Sequence, residues 1–365
     1  MTAVLSKRAL NRSLLARQLL LERVELPALE VVERLVGMQA QNPLDPYTAL
    51  WSRVRGFDPA ELSTLLAERR AVRATAVMRT TIHLLSAADA LSIRPLMQPV
   101  AERAWRYSPF VRQLDGVDVD AVVAAGLELL GERPHTASEL GRRLQERWPD
   151  REPGPLAYAV RFLVPLVQPP PRGLWGGRGP AVLQTTTRWL GAELDPAPSI
   201  DELVVRYLAA FGPATARDFQ VWSWLTGIRE VVERLRPRLH TYRDERGREL
   251  FDVPDAPMPD PDTPAPVRYL PEFDNLLLSH HDRSRVLDRK YGSGDWLRGS
   301  VLVDGFVAGT WRLDTGNEDA VLTIHPFAAF SPADRAEVEE EAGWLAVFLA
   351  GDARTREIRI GAADA

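Results

Sequence analysis

The sequence predicts a mainly helical chain with β parts, an α+β fold built on a recurring unit of three helices and a β-hairpin. Three observations carry this. An apolar stripe at helical spacing, Val119, Val122, Val123, Gly126, Leu127 and Leu130, returns as Ile200, Leu203, Val204, Tyr207, Leu208 and Phe211. Behind each stripe stands a start signal, Thr136-Ala137-Ser138-Glu139 and Thr215-Ala216-Arg217-Asp218. In such a box the hydroxyl takes the backbone N–H of the acidic residue, and the carboxylate returns the favour three residues back. Each copy then closes with two short strand-like segments around glycine.

The elements follow in order. A helix begins near Leu10, and a second shows Val31, Val32, Leu35 and Val36 on one face. It fails before Pro43, because proline disfavours helical geometry in the preceding residue. Asp58-Pro59-Ala60-Glu61 caps another helix, and residues 78–85 read as a wing strand, so the N-terminal region is compatible with a third copy. In the middle copy Leu140, Leu144 and Trp148 share a helix face. Third helices fall near 155–166 and 227–236. The first strand pair flanks Gly173–Gly177 and ends at 182–186; the second is 241–243 and 249–251 around Arg246-Gly247-Arg248. Three helices and a hairpin make a winged helix. Residues 254–266 form a stiff acidic linker rich in proline. Beyond it, strands at 296–303 and 306–313 flank Asp304-Gly305, a strong hairpin turn. A strand at 320–325, a glutamate-rich helix at 332–349 and a strand at 357–360 complete the chain. The expected division is 1–115, 116–198 and 199–253 for three winged-helix units, 254–266 for the linker and 267–365 for a β-rich part with a helix.

Composition removes several classes. There is no cysteine among 365 residues, so disulfides, thiolate zinc sites, iron–sulfur clusters and cysteine nucleophiles are excluded. Arg12 and Arg17 interrupt any apolar signal region, and no run of about 18 apolar residues occurs. A cytoplasmic protein without a membrane span is the expectation. The six histidines do not show metal-ligand spacing, and His280 and His281, as neighbours, point to different sides. Gly292-Ser293-Gly294 lacks the strand-then-helix context of a dinucleotide loop. Neither a metal nor a cofactor is expected. The net charge is −5, but residues 1–114 hold 16 basic and 10 acidic side chains, while 244–282 hold 3 and 10. Segregation of this kind allows a local basic face on an acidic chain. Lys7 and Lys290 are the two lysines; every other basic residue is arginine, which grips phosphate with a planar fork. Genomic composition is an equal explanation of that bias.

Two segments carry candidate chemistry. Gln39-Ala40-Gln41 closes the second helix, and residues at i and i+2 share one side of an extended segment. Two neutral amides then face one place, although the plainer reading is that they cap the helix. Far away, Leu270-Pro271-Glu272-Phe273-Asp274-Asn275-Leu276-Leu277-Leu278-Ser279-His280-His281-Asp282-Arg283-Ser284-Arg285-Val286 sets dense polar residues among apolar ones. Leu270, Phe273, Leu276, Leu277 and Leu278 read as core, and the polar residues as turn and ion-pair networks or, for His280, Arg283 and Arg285, as contacts to a nucleic-acid backbone. Arg79, Thr80, Thr81 and His83 read either as an ordinary wing strand or as residues lying against phosphate or base. Trp311 reads as core.

These blocks, together with Met78-Arg79-Thr80-Thr81-Ile82-His83-Leu84 and Gly305-Phe306-Val307-Ala308-Gly309-Thr310-Trp311-Arg312, resemble the winged-helix family of AlkZ-type DNA glycosylases. The resemblance runs from about Leu10 to about Leu349. It implies a C-shaped arrangement of winged helices around a DNA channel, a groove-probing hairpin, and Gln39 and Gln41 as the catalytic pair. A variant of the family carries aspartate at the second position; this chain resembles the Gln-Gln branch, which includes a self-resistance enzyme against azinomycin-type alkylators.

Two amides suffice for one kind of leaving group. Guanine alkylated at N7 is already cationic, and its C1′–N9 bond breaks to a neutral base with little acid assistance. What remains is to hold a water below C1′ and to tolerate a cationic sugar, which glutamine carbonyls do as acceptors. Strand cleavage through a Schiff base needs an amine. With Lys7 and Lys290 as the side-chain amines, and Lys290 in a polar loop, hydrolysis alone is the simpler expectation. The expected partner is double-stranded DNA bearing N7-alkylguanine adducts or crosslinks, bound by a monomer. The rival is a non-enzymatic winged-helix regulator, which would dimerise and read two half-sites.

Overall fold

The computed structural model describes residues 3–288, 298–316 and 318–362. Lys290 and its loop, Gly292-Ser293-Gly294, and the start of the strand expected from Trp296 lie outside these residues. The rest is a mixed α+β fold with three sheets.

The repeated units form as the stripes require. Helices Val119–Glu132, Ala137–Gln145 and Pro153–Leu163 lead to antiparallel strands Leu166–Val167 and Val182–Thr185. Helices Ile200–Phe211, Ala216–Ser223 and Ile228–Leu235 lead to the hairpin His240–Asp244 and Glu249–Asp252. Both capping boxes are complete, Thr136 with Glu139 and Thr215 with Asp218. The C-terminal part is a five-stranded sheet in the order Arg268–Leu270, Gly299–Val303, Phe306–Thr315, Asp319–Pro326 and Thr355–Ile360, covered by helix Pro332–Leu349. Its tight turn at Asp304-Gly305 has both residues at positive φ.

The units are less separate than a linear division expects. The strands Met38–Gln39, His83–Ser86 and Ala71–Ala74 join the middle unit's strands in one six-stranded sheet, through the pair Ala74 and Val167. Strand Val4–Leu5 pairs in parallel with His240–Asp244. Helix Lys7–Arg17 packs on Ile200–Phe211, where Arg17 grips Asp252 through 2.6 and 2.7 Å bonds. The boundaries at 115 and 198 are therefore crossed by backbone ladders and buried ion pairs.

The second helix, Ala28–Arg34, ends earlier than Pro43 demands. Val36 and Gly37 take positive φ, and the chain turns into strand Met38–Gln39. Glycine is required there: a Cβ at Gly37 would meet Leu85 at 2.3 Å. The 270–286 block holds this turn. Asn275, the first residue of helix Asn275–Leu278, donates to the carbonyls of Gly37 at 2.6 Å and Leu35 at 3.2 Å. Asp274 takes Arg53 with two bonds of 2.8 and 2.9 Å, both side chains being buried. Arg53 also donates to the carbonyls of Gln18 and Ala49. Phe273, expected in the core, is instead half-buried with φ 56°, because it forms the corner that swings Asp274 inward.

Removing one partner of a buried pair leaves the other charge unpaired, at a cost of about 3–5 kcal/mol. Asp274→Ala is expected to lower the denaturant midpoint accordingly, whereas Glu30→Ala, which breaks the exposed pair with Arg34, is expected to cost under about 1 kcal/mol. Equal losses for the two variants would overturn this ranking.

Candidate active site

The Gln-x-Gln segment is clamped at its backbone. Gln39 pairs in register with His83. The N–H of Ala40 donates to Ile82 at 2.8 Å, and its carbonyl accepts from Arg73 at 2.9 Å. The side chains then diverge in environment. Gln39 is only 6% exposed, while Gln41 is exposed and has no side-chain hydrogen bond among the described residues.

Arg79 fixes the Gln39 amide. Its Nη2 donates to Gln39 Oε1 at 2.8 Å, and its Nη1 donates to the carbonyl of Trp222 at 2.6 Å. Arginine has no acceptor, so the atom facing it is the amide oxygen, and the Gln39 Nε2 hydrogens point elsewhere. Burial, with Arg283 as a like charge nearby, lowers the Arg79 pKa to about 10, which leaves it protonated at neutral pH. Arg79 and Thr80 both lie at positive φ, 55° and 59°. Non-glycine residues held in that region store strain of order 1–3 kcal/mol each, a cost that recurs at functional sites.

The expected DNA contacts separate on burial. His83 is 1% exposed beneath Gln39, and desolvation and Arg79 hold its pKa well below the usual range, so it is neutral. His280 is 2% exposed, its Nδ1 is 2.7 Å from Ser279 Oγ, and burial and Arg285 lower its pKa to about 3. Arg285 is buried and donates to the Pro213 carbonyl at 3.1 Å. These three are interior polar groups in the DNA-free chain, the arrangement of the interior-network alternative. Arg79 likewise turns inward to Gln39. Thr80 and Thr81 are half-buried, and their hydroxyls donate to the carbonyls of Arg79 and Met78. Arg283 is half-buried and donates to the Leu277 carbonyl at 2.7 Å. Trp311 is half-buried, its Nε1 donating to Leu270.

Three residues not singled out by sequence stand beside the motif. Arg73 is buried in strand Ala71–Ala74, where a lone arginine between small apolar residues was the available signal. Glu272 is exposed and lines a small gap with Gln39. Asp45, at the start of helix Asp45–Arg53, is 6% exposed and its Oδ2 is buried with no hydrogen-bond partner. Desolvation first, then Glu272 and Asp274, raise the Asp45 pKa to about 8 against the opposing pull of the Asn42 backbone and Arg73. Among the described residues no group of three His, Asp or Glu is placed to hold a metal ion, and no helix is long and apolar enough to cross a membrane.

Comparison with known proteins gives a consistent neighbourhood. A sequence model described as DNA glycosylase AlkZ-like matches residues 32–348. The chain is 25% identical to an interstrand DNA cross-link repair glycosylase of Streptomyces sahachiroi, over 90% of this chain and 93% of that protein. Its fold matches the structure of the Streptomyces sahachiroi DNA glycosylase AlkZ with a TM-score of 0.70 and 23% identity, covering 98% of this chain and 100% of the other.

The Asp45 environment has a pH signature. A carboxyl with a folded pKa near 8 keeps a proton that the unfolded chain loses near 4, so its contribution favours folding below about pH 4 and is lost as pH rises through about 8. Asp45→Asn, which mimics the protonated form, is expected to raise Tm relative to the parent by several degrees at about pH 9 and by little at about pH 5. A Tm difference that does not change with pH would show an ordinary carboxylate.

Proposed function

The chain belongs to the AlkZ-like DNA glycosylase family, and on that premise we propose that it hydrolyses the N-glycosidic bond of N7-alkylguanine in double-stranded DNA, including bulky and crosslinking adducts. The observation that supports this best is the paired state of the two amides. Gln39 is buried and oriented by Arg79, and Gln41 stands open two residues on.

The two glutamines take different parts in this reading. Gln39 Oε1 is turned to Arg79, which leaves the Nε2 hydrogens free, and in this reading Gln39 acts as a donor to the water oxygen. The Gln41 carbonyl is the open acceptor for a water hydrogen. The water is held in place and not deprotonated, which suits a leaving base that departs neutral from a cationic lesion. The Gln41 carbonyl also turns the negative end of its dipole to the developing positive charge of the sugar. Lys7 lies over the Phe306 ring, on the first helix, which favours a monofunctional hydrolase over one using a lysine nucleophile.

The three-helix-and-hairpin units are read as tandem winged helices, with 1–115, 116–198 and 199–253 as their approximate extents, curved around duplex DNA by one monomer. Thr80, Thr81 and Arg283, half-buried beside the Gln39–Arg79 pair, are the DNA contacts kept from the sequence reading. The name of the Streptomyces relative supports crosslinks as substrates, and self-resistance to a genotoxic natural product is the corresponding role. A regulator without activity is not favoured, since the family is one of glycosylases.

Incubation with a duplex carrying N7-methylguanine is expected to leave alkali-labile abasic sites without strand cleavage. Gln41→Ala is expected to slow excision by ~10-fold to ~1000-fold with Tm unchanged, and Gln39→Ala to slow it similarly with some loss of Tm from the unpaired Arg79. Parent-like rates in both variants would remove the catalytic assignment.

Because Arg79 acts through Gln39, the two are expected to be non-additive. Arg79→Ala alone should slow excision by about 10-fold or more, yet add little to Gln39→Ala in the double variant. Losses that multiply would mean that Arg79 works elsewhere.

A further inference from the structure

A cavity of about 720 Å³ opens where the Gln-x-Gln segment ends. Its wall includes Asn42, which follows Gln41 directly, with Asp45, Glu272, Trp175, Trp311 and Phe348. Glu272 and Pro271 also line the small gap beside Gln39, so one carboxylate is common to both spaces. The size lies within the range of sites that enclose a drug-sized ligand.

The chemistry of the wall is one-sided. Asp45, Glu272, Asp319 and Asp352 line it, against Arg312 as the basic residue among those described, and Arg312 is already paired with Asp314. Asp45 is more than nine-tenths buried, and its Oδ2 has no hydrogen-bond partner. A buried acceptor of this kind costs folding free energy unless a ligand or function employs it. The aromatic part is fixed: Trp175 packs on Tyr47 and Phe348, and Trp311 is tied to the Leu270 carbonyl. Carboxylates together with indole rings make a site for a flat, positively charged aromatic group, because the ring faces and the acids attract the same charge. A phosphate would be repelled here.

We propose that this cavity receives the cationic purine of the lesion, with its alkyl substituent, between the Trp175 and Trp311 side and the acid wall formed by the Glu272 carboxylate and the Asp45 carboxyl. The proposal rests on the glycosylase reading and adds a source of selectivity to it. Undamaged guanine is neutral and gains nothing from the carboxylates. Cleavage of the C1′–N9 bond returns the bonding electrons to the base, which becomes neutral while the sugar becomes cationic, adds water at C1′ and releases a proton to solvent. The attraction is thereby lost at the moment of product formation, and the freed base leaves.

N-methylquinolinium, a permanently charged bicycle, and quinoline, its uncharged counterpart, separate charge from shape. Binding to the full-length protein without DNA, followed by calorimetry, is expected to favour the cation by ~10-fold or more. Glu272→Gln, on an exposed side chain, is expected to weaken the cation by ~3-fold to ~10-fold and to leave quinoline unchanged, whereas Asp45→Asn, of equal size, is expected to weaken the cation only above about pH 8, where Asp45 ionises. Equal affinity for the two probes, absence of binding at millimolar concentration, or a Glu272→Gln variant that binds the cation like the parent would overturn the proposal. Excision of N7-methylguanine by the parent is measured alongside. Excision without cation preference overturns this site and keeps the glycosylase reading. Cation binding without excision overturns the lesion as the ligand together with that reading.

Discussion

Arg53 carries its charge fully buried, and that is tolerable because four of the five N–H donors of its guanidinium are answered. Asp274 takes one from each Nη group, and the carbonyls of Gln18 and Ala49 take the other two. This constraint pins the 270–286 block to the N-terminal helices. The next residue, Asn275, then falls on the Leu35 and Gly37 carbonyls and holds the turn that sends the chain into Met38–Gln39. The ion pair is costly to form in net terms. Its value lies in register, since a block placed one residue off would present Leu276 to those carbonyls.

Around the motif, opposite charges are divided between two tasks. The guanidinium groups of Arg73 and Arg79 bind the motif itself, one through the Ala40 carbonyl and the other through the Gln39 amide. The carboxylates of Glu272 and Asp45 line the spaces beside it. Two neutral amides between these groups need no counter-charge of their own. The positive φ at Arg79 and Thr80 is the strain that this arrangement retains.

Local chemistry was legible in the sequence wherever a few adjacent residues decide the outcome. The capping boxes at Thr136 and Thr215, the turn at Asp304-Gly305 and the helix Pro332–Leu349 are set by short-range rules, and all formed. The polar residues of 270–286 could not be assigned that way. Arg285 and His280 have the same types whether they face DNA or an interior partner, and the partner of Asp274 lies 221 positions away. His83–Ser86 falls at the end of the 78–85 stretch read as a wing strand, but Met78–Thr80 forms a 3-10 turn, and with all four strand residues buried no outward face marks where the strand begins. The sheet shared through Ala74 and Val167 rests on one pairing and left no periodic trace. Gln39 and Gln41 were legible as a pair through the family resemblance, but their unlike surroundings follow from Arg79, which no spacing rule connects to Gln39.

The Asp304-Gly305 turn docks on the first helix, where Asp304 pairs with Arg8 and Arg12 and Gly305 leaves no room for a Cβ against Leu15. These partners stand 296 and 292 positions apart in the chain. During synthesis this helix leaves the ribosome 292 residues ahead of its seat. Contacts of such sequence separation are slow to close and cannot assist a nascent chain. Until the turn arrives, the helix waits with Leu15 uncovered on that side.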